Sequence, residues 1–360
     1  MSAAAPERIF VAGHRGLVGS ALARKLEADG ARLIVRSRDA LDLESREAVA
    51  ELLQHERPDS VFLAAGRVGG VLANSHHPAE FLYSNLAIQA NVIHESWRAD
   101  VGLLLFLGSS CIYPRDAPIP LREESLLTGP LEATNEAYAI AKIAGIAMCT
   151  AYSRQYGCDF RSVMPTNLFG PGDNYDLASG HFLAAILRKC HLAKLCEAGD
   201  AVAVNRDEAR YGPIPDATCA ALGLERVEGR LALAPGQSVR IKVWGSGKPL
   251  REYLWVDDLA EACALVASLP REEFLRASTA TDGRTLEFLN IGSGEEKSVA
   301  EIASLAREIV GARSPLVFDP SKPDGTPRKL LDSSRVRALG WAPRRGLAEG
   351  IEAAYRDYLA

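Results

Sequence analysis

Short apolar runs alternate with longer helical patterns through the first half of this chain. The runs occupy residues 8–12, 32–35, 60–65, 103–107 and 160–164, and the segments between them show the spacing of helices. Strands that alternate with helices in this way pair as parallel neighbours. The alternation therefore predicts an α/β fold with a mostly parallel sheet and helices on both of its faces.

A glycine-rich turn joins the first apolar run to a helix that we expect to extend to about Asp29. Its glycines stand in a Gly-x-x-Gly-x-x-Gly spacing. Glycines let a backbone approach a pyrophosphate, and a helix N-terminus offers amide donors and a positive dipole end. A tight turn also needs glycine, but this position favours a dinucleotide cofactor on a Rossmann-like, doubly wound sheet. The predicted contacts are Gly13, His14, Arg15, Gly16, Leu17, Val18 and Gly19.

The end of the second apolar run bears on which dinucleotide is bound. An acidic residue there would bind the ribose 2′-hydroxyl of NAD, and Asp39 is a candidate for that role. Arg38, together with Arg15 of the first loop, can instead pair with a 2′-phosphate. Two solvated arginines are the plainer alternative. We predict NADP(H), and leave open how strictly NADPH is preferred over NADH.

A second group of polar residues follows the apolar run 103–107. Ser109, Ser110 and Cys111 come almost directly after it, and Tyr138 and Lys142 stand four apart on a predicted helix over 137–156. A Lys ammonium beside a Tyr favours the phenolate and makes the Tyr a better proton donor near neutrality. Either serine can hold a substrate oxygen. A surface Tyr and Lys at helical spacing is common, but the serines and the cofactor loop favour chemistry at a carbonyl.

The second half of the chain is less regular. It predicts helices over 182–194, from Asp257 or Asp258 to about 269, over 299–310 and over 347–359, with a strand over 239–244. We expect an NADP-binding domain over 1–172 and a smaller α/β substrate-binding domain over 173–360, with parts of 250–300 able to pack back on the first. The segment 195–238 carries no readable pattern, and we expect a lid or rim beside the substrate site rather than a separate domain.

Composition excludes several classes of protein. A net charge of −5 gives no reason to expect a nucleic-acid partner. No apolar run approaches the roughly 20 residues that span a bilayer, and the first residues do not resemble a signal peptide. The seven Cys include no Cys-x-x-Cys pair, which argues for a reducing compartment and against a metal site or disulfide framework. We therefore expect a cytoplasmic protein without a metal.

The predicted helix over 137–156 is apolar nearly all round its circumference. A helix of this kind needs packing partners on two faces. The sheet supplies one partner, and a second copy of the chain would supply the other. We expect a homodimer in which the predicted helix over 78–98 helps to form a bundle across a two-fold axis.

Six motifs together resemble the extended short-chain dehydrogenases/reductases. They lie at 13–19, 107–114, 135–145, 162–171, 243–247 and 321–332 and extend over nearly the whole chain. Within that family the chain is similar to enzymes that act on GDP-linked 4-keto-6-deoxy sugars. The resemblance implies NADPH-dependent 3,5-epimerisation and 4-keto reduction of GDP-4-keto-6-deoxy-D-mannose to GDP-L-fucose. The segment 195–238 departs from the family pattern, so another 4-keto nucleotide sugar is the alternative, and a non-catalytic NADP-binding sensor is a third hypothesis.

The resemblance also implies a role for individual residues. Cys111 and His181 match the pair that epimerises C3 and C5, the two carbons that flank the carbonyl. Ser109 and Tyr138 match the groups that hold the C4 oxygen, and Lys142 the group that lowers the Tyr pKa and binds the nicotinamide ribose. Implied cofactor contacts are Leu107, Gly108, Ser109, Ser110, Lys142, Pro165, Thr166, Asn167, Leu168 and His181, and implied substrate contacts are Lys189, Trp244, Arg251 and Asp324.

Overall fold

The computed structural model describes residues 6–360 except 71–73, 75, 235 and 323. The strands are β1 (Arg8–Ala12), β2 (Arg32–Ile34), β3 (Ser60–Leu63), β4 (Leu103–Leu107), β5 (Asp159–Pro165), β6 (Asn167–Phe169), β7 (Leu224–Val227), β8 (Arg230–Leu233), β9 (Ile241–Trp244), β10 (Leu250–Trp255), β11 (Phe288–Ile291), β12 (Glu296–Ser298), β13 (Leu316–Asp319) and β14 (Arg328–Lys329). The helices are α1 (Leu17–Ala28), α2 (Arg46–Glu56), α3 (Pro78–Arg98), α4 (Glu136–Tyr156), α5 (Phe182–Glu197), α6 (Ala201–Tyr211), α7 (Asp216–Ala221), α8 (Val256–Ser268), α9 (Arg271–Ala277), α10 (Val299–Val310), α11 (Ser334–Ala338) and α12 (Leu347–Leu359).

A six-stranded sheet in the order β11-β5-β4-β3-β1-β2 organises the molecule. Every neighbouring pair in it is parallel, which confirms the predicted fold class. The strand β4 is Leu-Leu-Leu-Phe-Leu and is buried along almost its whole length, as a central parallel strand should be. The chain adds β2 on one side of β1 and β3 on the other, so a crevice opens between the carboxyl ends of β1 and β3. In such sheets this switch point is where ligands bind.

Two helical layers cover the two faces of this sheet. The helices α2, α3 and α4 pack over one face, where Phe106 and Ile146 are buried in a common core. On the other face α1 packs against α8, and Leu22 and Leu259 are fully buried. Both α8 and β11 come from the part of the chain after residue 250. The cofactor-binding unit is therefore discontinuous in sequence.

The remaining elements form a second core at one end of the sheet. The strand β10 pairs with β12, β14 and β6, while β9 pairs with β13. The helices α5, α10 and α12 pack around them and bury Leu187, Ile302 and Ile351. Because β6 follows β5 directly and pairs with β10, the second core begins at the edge of the first sheet. That junction places α5 and β14 close to the carboxyl ends of β4 and β5.

The segment 195–238 folds as an integral layer of this second core. It comprises the end of α5, the helices α6 and α7, and the antiparallel hairpin β7–β8. Val204, Ile214 and Leu231 are buried in the same cluster as Leu187. We expected a surface lid and not a separate domain. The segment is indeed not a separate domain, but it is buried in the core and is not a surface lid. The helix α5 is apolar on two faces, and this segment covers the face that the small sheets leave open.

A buried ion pair anchors the segment to α5. Arg188 is fully buried, and its Nε lies 2.8 Å from Asp207 Oδ1 on α6. Three further guanidinium hydrogens are donated to the carbonyl oxygens of Tyr175, Tyr211 and Gly212. A buried guanidinium needs such acceptors because it no longer contacts water.

Most predicted boundaries agree with the structure to within a few residues. The helices α3, α10 and α12 have the predicted bounds, whereas α5 continues three residues further than expected and β9 begins two residues later. The sequence Gly-Arg-Val-Gly-Gly-Val at 66–71 also predicts a glycine-rich turn at the carboxyl end of the third apolar run; the structure describes it only to residue 70, and Val71 lies outside the described residues. In the described parts of the chain, no helix is both long and apolar enough to cross a membrane.

Candidate active site

The loop after β1 forms a cradle made of backbone atoms. Gly13 has a φ of +87°, and a Cβ there would lie 2.8 Å from the Ala65 backbone. A Cβ on Gly19 would lie 2.0 Å from the Gly13 carbonyl oxygen, so only glycine fits. Gly16 caps α1 without a side-chain hydrogen bond, which leaves the first amides of the helix, from Leu17 onward, free to donate. This arrangement fits a pyrophosphate at the switch point of the sheet.

His14 adds an unpaired polar atom to the same cradle. Its Nδ1 is buried and has no hydrogen-bond partner among the described residues. Burial, and after it the charge of Arg15, lowers the pKa of His14, so the ring is neutral near pH 7. Leu17 and Val18 are half-buried at the start of α1. A bound dinucleotide would satisfy the unpaired nitrogen, so the loop as a whole fits the cofactor.

The arginines expected at the 2′-phosphate are free to reach a ligand. The Arg38 side chain is 88% exposed, and its nearest carboxylate oxygen, on Glu44, lies 4.0 Å away. Arg15 is exposed in the loop after β1, and Asp39 is exposed in the same turn as Arg38. In contrast, Arg36 is held by Glu56. Arg15 and Arg38 are therefore both exposed, as a site for a 2′-phosphate requires.

The end of β4 distinguishes the two candidate serines. Ser110 is buried, whereas Ser109 is half-buried and hydrogen-bonded to the phenol of Tyr138. The Ser109 hydroxyl also accepts from the Cys111 amide at 3.3 Å. Gly108 packs tightly beneath them, since a Cβ there would lie 2.3 Å from the Met164 sulfur. Ser109 is therefore the serine placed to hold a substrate oxygen with Tyr138.

Lys142 lies on the same face of α4 as Tyr138, as the spacing predicts. Its Nζ donates to the Leu107 carbonyl at 2.8 Å and lies 5.8 Å from the centre of the Tyr138 ring. Burial lowers the pKa of Lys142 to about 8. Burial, and after it the charge of Cys111, raises the pKa of Tyr138, although the Ser109 hydrogen bond lowers it. The expected lowering of the Tyr138 pKa by Lys142 is therefore wrong for this arrangement, in which burial dominates.

Cys111 reaches the site by a different route from the one its sequence position suggests. An extended chain would point Ser109 and Cys111 to one side, but residues 110–112 form a 3₁₀ turn. The turn is capped by Ser109, and this capping bond keeps Cys111 beside the carbonyl-binding pair. The thiol is half-buried and lies near enough to Tyr138 for its charge to affect the phenol.

Lys329 lies near both residues expected to epimerise the substrate. Its Nζ is 3.4 Å from Cys111 Sγ. Its charge also lowers the pKa of His181, after the larger effect of desolvation of that ring. His181 is the residue that precedes α5. We did not single out Lys329 from the sequence, although it belongs to the motif at 321–332; the contact joins residues 218 positions apart in the chain.

The expected cofactor contacts after β5 continue the same edge of the sheet. Pro165 ends β5, Thr166 is buried, and Asn167 and Leu168 open β6. The Asn167 side-chain amide donates to the Glu252 carbonyl at 2.8 Å, which ties this turn to β10.

The expected substrate residues form two neighbouring pairs. Lys189 Nζ donates to the Lys242 carbonyl at 3.1 Å, close to Trp244 at the end of β9, whose side chain is 49% exposed. Arg251 donates to the Asp324 carbonyl at 3.2 Å. Burial lowers the pKa of both Lys189 and Arg251.

Unlike Lys189, Trp244 and Arg251, Asp324 uses its side chain in hydrogen bonds to a neighbouring loop. One carboxylate oxygen accepts from the Ser246 amide at 2.6 Å and the other from its hydroxyl at 2.8 Å. Asp324 thus fixes the loop after β9.

A family model described as the NAD dependent epimerase/dehydratase family matches residues 9–210 and 217–275. The chain belongs to this family. The match extends through the glycine loop, β4, α4 and β10, so all the elements that carry the catalytic candidates other than β14 lie within it.

Individual relatives match over almost the whole chain. A GDP-L-fucose synthase from Sinorhizobium fredii is 44% identical over 98% of this chain and 96% of its own length. The solved structure of a GDP-6-OMe-4-keto-L-xylo-heptose reductase from C. jejuni is 34% identical, covers 98% of both chains and superposes with a TM-score of 0.87. A GDP-mannoheptose C4 reductase from Campylobacter jejuni, solved with NADP bound, is 33% identical, covers 99% of both chains and has a TM-score of 0.79.

Proposed function

We propose that this protein is a bifunctional enzyme that converts GDP-4-keto-6-deoxy-D-mannose to GDP-L-fucose with NADPH. The observation that carries the proposal is the thiol of Cys111 beside the Ser109–Tyr138 pair, with His181 across Lys329. Reduction of a ketone alone requires no thiol. A group that can remove a proton next to the ketone, placed at a reductase site, supports two successive reactions at one carbonyl.

The cofactor would be held mainly by the loop after β1. The amides at the start of α1 would face the pyrophosphate, and Arg15 and Arg38 the 2′-phosphate. Lys142 would bind the nicotinamide ribose beside its contact with Leu107. When bound, NADPH supplies the hydride that reduces C4.

Epimerisation requires a base, an acid and a stabiliser for the enolate. The protons on C3 and C5 are acidic because both carbons flank the C4 carbonyl. Cys111 would remove a proton, and His181 in its protonated form would return one to the opposite face. Ser109 and Tyr138 would donate hydrogen bonds to the C4 oxygen while it carries the enolate charge.

Reduction uses the same oxygen-binding pair. The raised pKa of Tyr138 means that its phenol keeps its proton at neutral pH. Tyr138 can therefore give that proton to the C4 oxygen as the hydride arrives. Lys142, with its pKa lowered to about 8, is still largely charged at pH 7, which favours loss of the proton from Tyr138 during the reaction.

The substrate diphosphate would lie between Lys189 and Arg251. Both cations lie in the second core, and burial lowers the pKa of both, which an anion bound beside them would offset. Trp244 offers a half-exposed apolar wall for the nucleoside. Asp324 would act through the loop that it fixes.

A related 4-keto GDP sugar is the second candidate substrate. The specific observation in its favour is the similarity to the C. jejuni heptose reductase, whose sequence is 34% identical and whose structure superposes with a TM-score of 0.87. The segment 195–238 also borders α5, which begins at His181. A heptose reductase would need the Ser109–Tyr138 pair but not the proton removal that we assign to Cys111.

We also propose that the protein is a cytoplasmic homodimer. The helices α3 and α4 pack side by side, where the Gln89 side chain donates to the Ala141 carbonyl. On the outward side Tyr83 is 69% exposed and Ile140 is 44% exposed. Light scattering in dilute solution tests the assembly, and a fully active monomer at micromolar concentration would contradict it.

The proposed function is tested by NMR of the reaction itself. GDP-4-keto-6-deoxy-D-mannose in deuterium oxide without NADPH should exchange its C3 and C5 protons for deuterium. Addition of NADPH should then give GDP-L-fucose. A product that keeps the D configuration and carries no deuterium would favour the reductase alternative, and no reaction with NADPH would refute the proposed conversion of this sugar.

A further inference from the structure

The strand β14 brings a cation into contact with the thiol of Cys111. Lys329 pairs in register with Arg251 on β10, and the pairing orients the short strand along the floor of the site. Lys329 is half-buried, and its Nζ lies 3.4 Å from Cys111 Sγ. Both residues, together with Asn135 and Thr326, line one small cavity. The contact thus lies in the wall of a small cavity and not in the solid core.

Among the described residues, no carboxylate pairs with the ammonium of Lys329. In the described part of the chain, Lys329 forms no ion pair, although ion pairs are frequent elsewhere on this surface. The neighbouring Arg328 illustrates the difference, because it is held by Glu296 at 2.6 Å. A Lys that is half-buried and unpaired is costly unless an anion faces it. The thiolate of Cys111 is the anion that the geometry offers.

The other charged and titratable groups around Cys111 are engaged elsewhere or are neutral at pH 7. Tyr138 on α4 keeps its proton, and His181 before α5 has a lowered pKa. In the loop after β4, Arg115 is paired with Asp116, and the Glu132 carboxylate accepts from the Thr134 amide and hydroxyl. On β14, Arg328 is held by Glu296 as described.

We propose that Lys329 is the positioning residue that holds Cys111 as a thiolate and so makes it the base of the epimerisation. This inference rests on the proposed function and adds a further residue to the proposed reaction. An ordinary thiol is mostly protonated at neutral pH, because its pKa is about 8.5, and adjacent cations are the usual means of ionising it. Lys329 acts through Cys111 and does not itself exchange a proton with the sugar.

The step is balanced without a further reactant. The C–H bond at C3 or C5 breaks, and an S–H bond forms at Cys111. The electron pair of the broken bond moves into the enolate, whose oxygen is held by Ser109 and Tyr138. Lys329 keeps its three protons and loses its anionic partner as the thiol forms, so its charge is then free to stabilise the developing enolate. Return of a proton to the opposite face regenerates the ketone with inverted configuration.

Alkylation of Cys111 by iodoacetamide reads the thiolate directly and does not need the substrate. The rate is followed by mass spectrometry of the peptide that contains Cys111, across the pH range in which thiols titrate. In Lys329→Met, the pH at which the rate is half-maximal should rise by about one unit or more, because a unit charge at hydrogen-bond distance is lost. Lys329→Gln should behave similarly, while Lys329→Arg should stay near the wild type.

Lys297→Met is the matched control. Lys297 lies on β12, in register with Arg251 on the other side of β10, and is exposed. Its loss removes the same formal charge from the same small sheet. The alkylation midpoint of Lys297→Met should equal that of the wild type, whereas an equal rise in both variants would show a general field effect and overturn the assignment to Lys329.

Deuterium exchange at C3 and C5 supplies the catalytic readout. In Lys329→Met the exchange rate at pH 7 should fall about tenfold or more, in proportion to the lost thiolate, and should recover as the pH is raised. A merely structural role would not produce that recovery. If the wild-type protein exchanges these protons but the alkylation midpoint of Lys329→Met is unchanged, the role of Lys329 is refuted while the proposed epimerisation stands. Wild-type protein that does not exchange would refute the proposed epimerisation, whatever the midpoint.

Discussion

The cofactor end and the substrate end of the cleft are built from different chemistry. At the proposed cofactor end the groups available for contacts belong to the backbone: glycines without a Cβ and the free amides of α1. At the proposed substrate end they belong to long side chains, among them Lys189, Arg251 and Lys329, which lie on α5, β10 and β14. The cofactor end therefore depends on the absence of side-chain atoms, whereas the substrate end depends on charged side chains.

The two ends also differ in how their supporting cores are stabilised. The six-stranded sheet is covered by apolar side chains on both faces, and Leu104, Leu105 and Phe106 of β4 are fully buried. The second core contains a buried ion pair, Arg188 with Asp207, which fixes the segment 195–238. Apolar layers tolerate small changes in shape, whereas a buried charge without its partner is strongly destabilising.

The largest effect is expected from removal of the buried counter-ion. Asp207→Ala leaves the Arg188 guanidinium buried and uncompensated, which should lower the free energy of unfolding by about 3–5 kcal/mol. Urea denaturation followed by tryptophan fluorescence measures the loss. Asp216→Ala is the control in the same segment, because its side chain is 97% exposed, and it should leave the midpoint unchanged. If Asp207→Ala and the wild type unfolded at the same urea concentration, the buried ion pair would not stabilise the second core, and the contrast between the two cores would be refuted.

A single methyl group should disable the cofactor end. In Gly19→Ala the new Cβ would lie 2.0 Å from the Gly13 carbonyl oxygen, so the loop must open. We expect NADPH binding to weaken by roughly 10–100-fold, measured by fluorescence titration, with a thermal melt as a check on folding. Gly346→Ala is the matched control, since its Cβ would meet no atom within 4 Å. Unchanged NADPH affinity in Gly19→Ala would refute the backbone cradle.

The smallest effect is expected from two arginine side chains at the cofactor end. The double variant Arg15→Ala/Arg38→Ala should raise the Kd of NADPH about tenfold more than that of NADH, because charge-assisted hydrogen bonds to a 2′-phosphate are lost. Arg36→Ala serves as the control, since that guanidinium is already held by Glu56. Equal losses of affinity for NADPH and NADH would refute the assignment of Arg15 and Arg38 to the 2′-phosphate.

The sequence predicts the elements that are specified locally. The helix α10 has its predicted bounds because Ser298 and Glu301 form a capping box at its start and Gly311 ends it in a left-handed conformation. The parallel sheet follows from its apolar runs, and the four-residue spacing places Tyr138 and Lys142 on one face of α4. Each of these signals lies within a few residues of the structure that it specifies.

Interactions between distant parts of the chain could not be predicted in the same way. Nothing near Asp207 indicates that its partner is a buried Arg188 on the preceding helix, so the segment 195–238 reads as a surface feature. The direction of the Tyr138 pKa was predicted wrongly because burial outweighs a nearby ammonium. Lys329 was missed because its contact with Cys111 depends on the pairing of β14 with β10.

In the proposed mechanism, one carbonyl site performs two reactions with separable groups. Cys111→Ala removes the base and leaves the Ser109–Tyr138 pair and Lys142 in place. NMR of the variant with GDP-4-keto-6-deoxy-D-mannose in deuterium oxide should show no exchange at C3 or C5, and addition of NADPH should slowly give a GDP-linked 6-deoxy-D-hexose. Tyr138→Phe should show the reverse, with some exchange retained and reduction lowered by roughly 10²–10⁴-fold. Exchange at both carbons in Cys111→Ala at the wild-type rate would contradict the claim.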